Sequence, residues 1–340
     1  MSSDPVLVEV TRGRLVESVH RGAVAVVDAT GGLQFAVGDV ETPVFPRSAI
    51  KPFQAIPLVE SGAADAYGFG NRELALACAS HNGEPRHLEV AAGMLAAAGR
   101  DETALECGAH WPRRPEDVAA LGREGRTPGQ LHNNCSGKHA GFVCLACHMG
   151  VDHHHYVDPD HAVQIAVAAV LADLTGAPVE EDLRAVDGCS APNWALPLRA
   201  LALGFARFGS GEGLSAPRAE AVARLCAACA AEPFLVAGTG RFCTTVMSAL
   251  GPRALVKVGA EGVYGGAFPE LGLGFAIKCD DGAPRAAEVV TAALLARFLR
   301  LAGDDQRLVE NLMQPRLTNW RGTVVGALRP SIMLRGRLGV

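Results

Sequence analysis

The chain predicts an α+β fold: a mostly antiparallel sheet formed by N- and C-terminal strands and flanked by helices. Three observations carry that prediction. β-rich runs broken by Gly and Asp occupy Leu7 to Val40, helical text fills the middle, and β-rich runs return from Ala254 before a last strong helix. Strands segregated to the two ends favour this class over alternating βαβ units. A single domain over 1–340 is expected, its sheet part about 1–45 and 250–340 and its helical part about 46–249.

Each element has a local cause. Ala23–Asp28 and Leu33–Val37 flank Thr30-Gly31-Gly32 and read as an antiparallel pair joined by a tight turn. Pro85–Ala98 fits one helix. Asp158-Pro159-Asp160 supplies an N-cap, a first-turn proline and early acids for another, ending near Leu174 before Gly176. Alanine-rich Pro217–Ala231 is a third. Ala254–Val258, Gly262–Gly266 and Leu273–Lys278 read as strands, and Ala286–Leu301 as the closing helix. Leu121–Gly129 and Ser210–Gly213 read as exposed loops.

With 340 residues, 49% hydrophobic and 20% charged, the chain has ample core and is not disordered. A formal charge of −5 and the lack of basic runs interleaved with aromatics argue against a nucleic-acid partner. Met1-Ser2-Ser3-Asp4-Pro5 is not a basic segment leading into an apolar run, and no stretch of about 18 uncharged apolar residues occurs. No membrane association and a cytoplasmic location are therefore expected. Ten cysteines are too few for a disulfide scaffold at this length. Cys144-x-x-Cys147 and Cys226-x-x-Cys229 lie in apolar helical text without the turns of a zinc knuckle, so they read as small buried residues. Asp152-His153-His154-His155 reads as a solvated loop, since consecutive histidines do not converge on one ion in a regular element.

The chemistry concentrates elsewhere. Arg47-Ser48-Ala49-Ile50-Lys51-Pro52-Phe53 sets a serine three residues before a lysine where a helix begins, Pro52 being tolerated mainly in a first turn. Side chains at i and i+3 lie roughly 5–6 Å apart at Cβ, so the Lys51 amine can reach the Ser48 hydroxyl. A free lysine titrates near about 10.4, so such a base needs desolvation or a second cation. Lys257, in a strand two residues before Gly259, is the candidate cation, although an edge-strand lysine also serves to block aggregation. His132-Asn133-Asn134-Cys135-Ser136-Gly137-Lys138-His139 and Asp187-Gly188-Cys189-Ser190 place two thiols on separate segments that could share a borderline-soft ion such as zinc. Either Lys138 or His139 could join them, and coordination chemistry alone favours His139. The same thiols could also be unrelated.

Together with Cys78-Ala79-Ser80-His81-Asn82-Gly83-Glu84 and Lys257-Val258-Gly259-Ala260-Glu261-Gly262, these blocks resemble the Rhizobium-type L-asparaginase (asparaginase II) family over nearly the whole chain, in order. The resemblance implies a fold similar to serine β-lactamases and serine-dependent glutaminases, a homodimer, and hydrolysis of L-asparagine. It implies Ser48 as nucleophile with Lys51 as base, Ser80 with Lys257 as a second pair, and zinc on Cys135, Lys138 and Cys189, overruling His139 as a ligand. Arg47, His139 and Asp187 become candidates for binding substrate. A β-lactamase-like or glutaminase activity, or a non-catalytic amino-acid sensor, are the alternatives; ammonia release from asparagine separates the sensor from the asparaginase.

Overall fold

The computed structural model describes residues 4–335; Met1–Ser3 of the N-terminal reading and the last five residues of the basic tail lie outside them. Three N-terminal strands, β1 (Val6–Arg12), β2 (Leu15–Asp28) and β3 (Leu33–Val37), join five from the C-terminal part. These are β4 (Leu255–Val258), β5 (Val263–Phe268), β6 (Leu273–Cys279), β7 (Arg316–Thr318) and β8 (Val324–Pro330). They form one sheet in the order β7-β8-β1-β2-β6-β5-β4, with β3 also paired to β2. Every pairing is antiparallel. The α+β architecture is as the sequence predicts, and the β2–β3 hairpin pairs Val24 with Val37 and Ala25 with Ala36.

The long strand β2 changes partners midway. Its first part pairs with β1 and is largely exposed, while Ala23–Val27 pair with β6 and are buried. Gly22 stands at the change because a Cβ there would lie 2.0 Å from the Lys278 carbonyl oxygen.

The helices used below are α1 (Lys51–Gln54), α2 (Asn71–Ala77), α3 (Pro85–Ala97), α4 (Ser136–His148), α5 (Ala162–Thr175), α6 (Leu198–Ser210), α7 (Ala216–Ala231), α8 (Phe242–Leu250) and α9 (Pro284–Phe298). α6 lies against one face of the sheet at backbone distance: a Cβ on Gly274 would meet the Ala206 amide at 2.1 Å, and one on Gly265 would meet the Phe205 ring at 2.1 Å. Phe275, next along β6, points to the other face. There it stacks on Phe268 at 5.2 Å, which stacks on Phe298 of α9 at 5.8 Å. The closing helix and a central helix thus cover opposite faces, as expected from segregated strands.

One local reading changes, and the expected C-terminal sheet part gains its last two strands. α5 begins at Ala162, because the half-buried turn residue before it, His161, caps the Val163 amide through Nδ1 at 3.1 Å; Asp158 and Pro159 belong to the preceding turn. Residues after Gln314 form β7 and β8, whose register comes from a distant partner, Leu328 opposite Val10. The two Cys-x-x-Cys pairs sit inside α4 and α7, and all ten cysteines are free thiols. Among the described residues no helix is long and apolar enough to cross a membrane.

Candidate active site

Ser48 lies in a 3-10 turn, Arg47–Ile50, that runs into α1. The turn packs against β4 and β5, and Gly259 lets it do so: a Cβ there would sit 2.8 Å from the Pro46 carbonyl oxygen. Arg47 has φ +53°, an uncommon conformation for a side chain with Cβ. Its guanidinium is paired with the Asp187 carboxylate, which fixes the strained residue from the opposite loop.

Lys51 and Lys257 are each 1% exposed. Lys51 Nζ donates to Asn134 O at 3.2 Å rather than to Ser48, and Lys257 Nζ donates to Val258 O at 3.1 Å. Burial first, and the charge of Lys51 second, draw the Lys257 ammonium down to about 7. The sequence assigned Lys257 the part of a second cation acting on Lys51; the amine drawn down here is Lys257 itself. Its burial also removes it from any role as an exposed edge-blocking charge, although β4 ends the sheet.

Ser80 follows α2 and is 6% exposed. Its amide donates to Val236 O at 2.9 Å and its carbonyl accepts from Arg241 Nη1 at 3.3 Å. Ser48, Ser80 and Asn134 border one cavity of about 300 Å³, together with Val258 and Gly259 from the end of β4. The chain therefore brings both sequence-predicted serines to one pocket, with two buried amines nearby.

The second cluster adjoins it through Asn134, whose Oδ1 accepts from Cys135 Sγ at 3.0 Å. Lys138, in the first turn of α4, donates from Nζ to Cys189 Sγ at 3.1 Å. Hydrogen bonding from Cys135 holds Cys189 well below the ordinary thiol range against the opposing effect of burial, with Lys138 adding to it. Burial would lower Lys138, but the sulfurs beside it outweigh that and raise it. His139 Nδ1 meets Tyr156 OH at 2.7 Å, while its buried Nε2 makes no hydrogen bond among the described residues. Burial pushes this imidazole down to about 4, so it is neutral at physiological pH.

Two thiols from separate segments, an amine between them and an orphaned imidazole nitrogen are a donor set that fits zinc. A different group, Asp152, His153 and His154, brings its ligand atoms within 4.8 Å of one another, the only such set of three His, Cys, Asp or Glu residues among those described. The sequence reading held that adjacent histidines do not converge in a regular element; these lie in an irregular exposed turn, their rings 4.3 Å apart.

Sequence reasoning assigned no role to Asn134, Arg113, Arg241 or Glu84. Asn134 lay within a motif already singled out and touches both clusters. The arginines had no local signal, because only folding brings them to the pocket.

The L-asparaginase II family model matches residues 8–330. No curated protein matches. Among solved structures, the chain is similar to a β-lactamase from Mycobacterium bovis, with 14% identity, a TM-score of 0.40, and coverage of 81% of this chain and 94% of that one. It is also similar to Mglu in an L-glutamate-binding form, with 17% identity, a TM-score of 0.40, and coverage of 86% and 63%. With nearly its whole length matched by one family model, the chain belongs to the L-asparaginase II family, an amidohydrolase family.

Proposed function

We propose that the protein hydrolyses L-asparagine to L-aspartate and ammonia through an acyl-enzyme on Ser48. The observation that carries this reading is the meeting of Ser48 and Ser80 at one pocket beside buried Lys51 and Lys257, in a member of this family. Lys51 gives up its bond to Asn134 O and takes the Ser48 proton as Oγ attacks the side-chain amide carbon. The carbon–nitrogen bond then breaks, and the proton passes to the departing ammonia through Lys257 and Ser80. Water adds to the ester carbonyl, one proton returns to Ser48, and aspartate leaves.

Zinc would be held by Cys135, Lys138 and Cys189, with His139 beside it, and when bound would supply a positive charge that orients the substrate's amino-acid end. Lys138 must lose its proton to bind, which the ion's charge favours. Arg47 and Asp187, paired with each other, and His139 are the candidates for binding substrate in this reading. A homodimer with one site per subunit belongs to the same reading.

Ammonia release from L-asparagine and L-glutamine, and ring opening of a β-lactam, each with and without zinc, test it. Release from asparagine that disappears in Ser48→Ala is expected. Binding of asparagine without turnover in the zinc-loaded protein would overturn it in favour of a sensor.

A further inference from the structure

The pocket that holds Ser48 and Ser80 is also bordered by two guanidinium groups, Arg113 and Arg241. Neither forms an ion pair: among the described residues no carboxylate oxygen comes within 4.0 Å of them. Arg114, one residue on, does pair, with Glu84 at 2.9 Å. The contrast separates a structural arginine from one left facing the cavity.

Both free arginines are fixed by the loop that carries Ser80. The Arg113 amide donates to Asn82 O at 2.9 Å, and Arg241 Nη1 donates to Asn82 Oδ1 at 3.1 Å as well as to Ser80 O. Of the two acids at the same pocket, Glu288 lies near enough to feel both guanidiniums without forming an ion pair with either, and Glu261 is turned away. Glu288 accepts from Tyr264 OH at 3.2 Å, and Glu261 points its carboxylate at Gly282, where a Cβ would lie 2.8 Å from Oε2. Repulsion from Arg241 draws Arg113 below the usual guanidinium range, although the residue is exposed on its outer side. Two like charges held at one cavity repel, and an anion placed between them relieves that repulsion. Planar guanidinium groups match a carboxylate in two-point hydrogen bonding, which a lysine ammonium does not.

We propose that Arg113 and Arg241 bind the α-carboxylate of the substrate, so that the enzyme selects amides bearing a free carboxylate beside the scissile group. The inference rests on the amidohydrolase reading of this pocket and adds its specificity. It assigns the carboxylate to the arginines and leaves the amino end to the side of Cys135 and Cys189.

Arg113→Gln is the informative variant, since the Arg113 side chain makes no hydrogen bond within the described chain whereas Arg241 supports the Ser80 carbonyl. Wild type, Arg113→Gln and Arg113→Lys are compared on L-asparagine, on succinamate, which lacks the amine, and on β-alaninamide, which lacks the carboxylate. In Arg113→Gln, kcat/KM for asparagine and succinamate falls about tenfold or more relative to β-alaninamide, chiefly through KM, and Arg113→Lys recovers part of it. Equal losses on all three substrates, or none, overturn the proposal. If wild type hydrolyses none of them, the amidohydrolase reading fails separately, and calorimetric binding of succinamate decides. Binding weakened tenfold by Arg113→Gln supports the carboxylate site; binding that is absent or unchanged overturns it.

Discussion

The Glu84 carboxylate accepts a hydrogen bond from the Thr239 amide at 2.7 Å, tying the loop that carries Ser80 to the turn leading into Arg241. It also accepts from Thr239 Oγ1 at 2.7 Å, Arg114 Nη1 at 2.9 Å and Asn82 Nδ2 at 3.0 Å. Gly238 is required there, since its φ is +111° and a Cβ would lie 2.5 Å from Glu84 Oε1.

Glu84→Ala strands those donors and is expected to cost about 3 kcal/mol, read from urea unfolding. Burial would raise this carboxyl, but the donors, Thr239 foremost, outweigh it and hold it below the ordinary 4.5. Its contribution is therefore complete above that value and is lost as pH falls through the lower folded one. Equal acid sensitivity of wild type and Glu84→Gln would show that the carboxylate does not act this way.

Ser48→Ala and Lys51→Met should each lower kcat by at least about 10²–10⁴, the usual worth of nucleophile activation by a positioned base. Steady-state ammonia release measures it. Turnover near that of wild type in either variant removes the residue from the mechanism.

Lys257 gives two pH effects. As a proton relay it must be neutral, so kcat/KM should rise as pH increases through about 7, the value to which burial and Lys51 bring it. Between that value and the ordinary 10.5 the unfolded chain holds more protons than the folded one, so stability also rises with pH across this window. Lys257→Met should flatten the stability slope; an unchanged slope would contradict the assignment.

Chelation should remove zinc stoichiometrically and raise KM for asparagine, with added zinc restoring it. Cys135→Ala should likewise raise KM more than it lowers kcat, as the proposed reading has the ion orienting substrate and Ser48 furnishing the nucleophile. Elemental analysis showing no metal on fully active protein would exclude zinc from the reaction.

Gly274→Ala tests the sheet–helix seam. Its Cβ would press on the Ala206 amide at 2.1 Å, backbone against backbone, so a loss of about 1–3 kcal/mol or more is expected. An unchanged midpoint of denaturation would mean that α6 can shift away at little cost.

Much of this molecule is readable along the chain because its causes are local. Period and turn residues around Gly31-Gly32 announce the β2–β3 hairpin, and Pro85 and Pro217 mark helix entrances. Ser48 and Lys51, or Cys135 and Lys138, are separated by one helical step, so their pairing could be read from spacing alone. The strands after Gln314 were not legible, because β8 is held by pairing with β1 across more than three hundred residues of sequence.

The sequence by itself determined the α+β class, the candidate nucleophiles and the two thiol segments, since each depends on residue type and short spacing. Only the tertiary structure decided which amine is depressed, where Lys51 points, and that Arg113 and Arg241 meet at the Ser80 loop. Burial and Coulombic coupling depend on what surrounds a group in three dimensions, and those surroundings come from segments far apart in the chain.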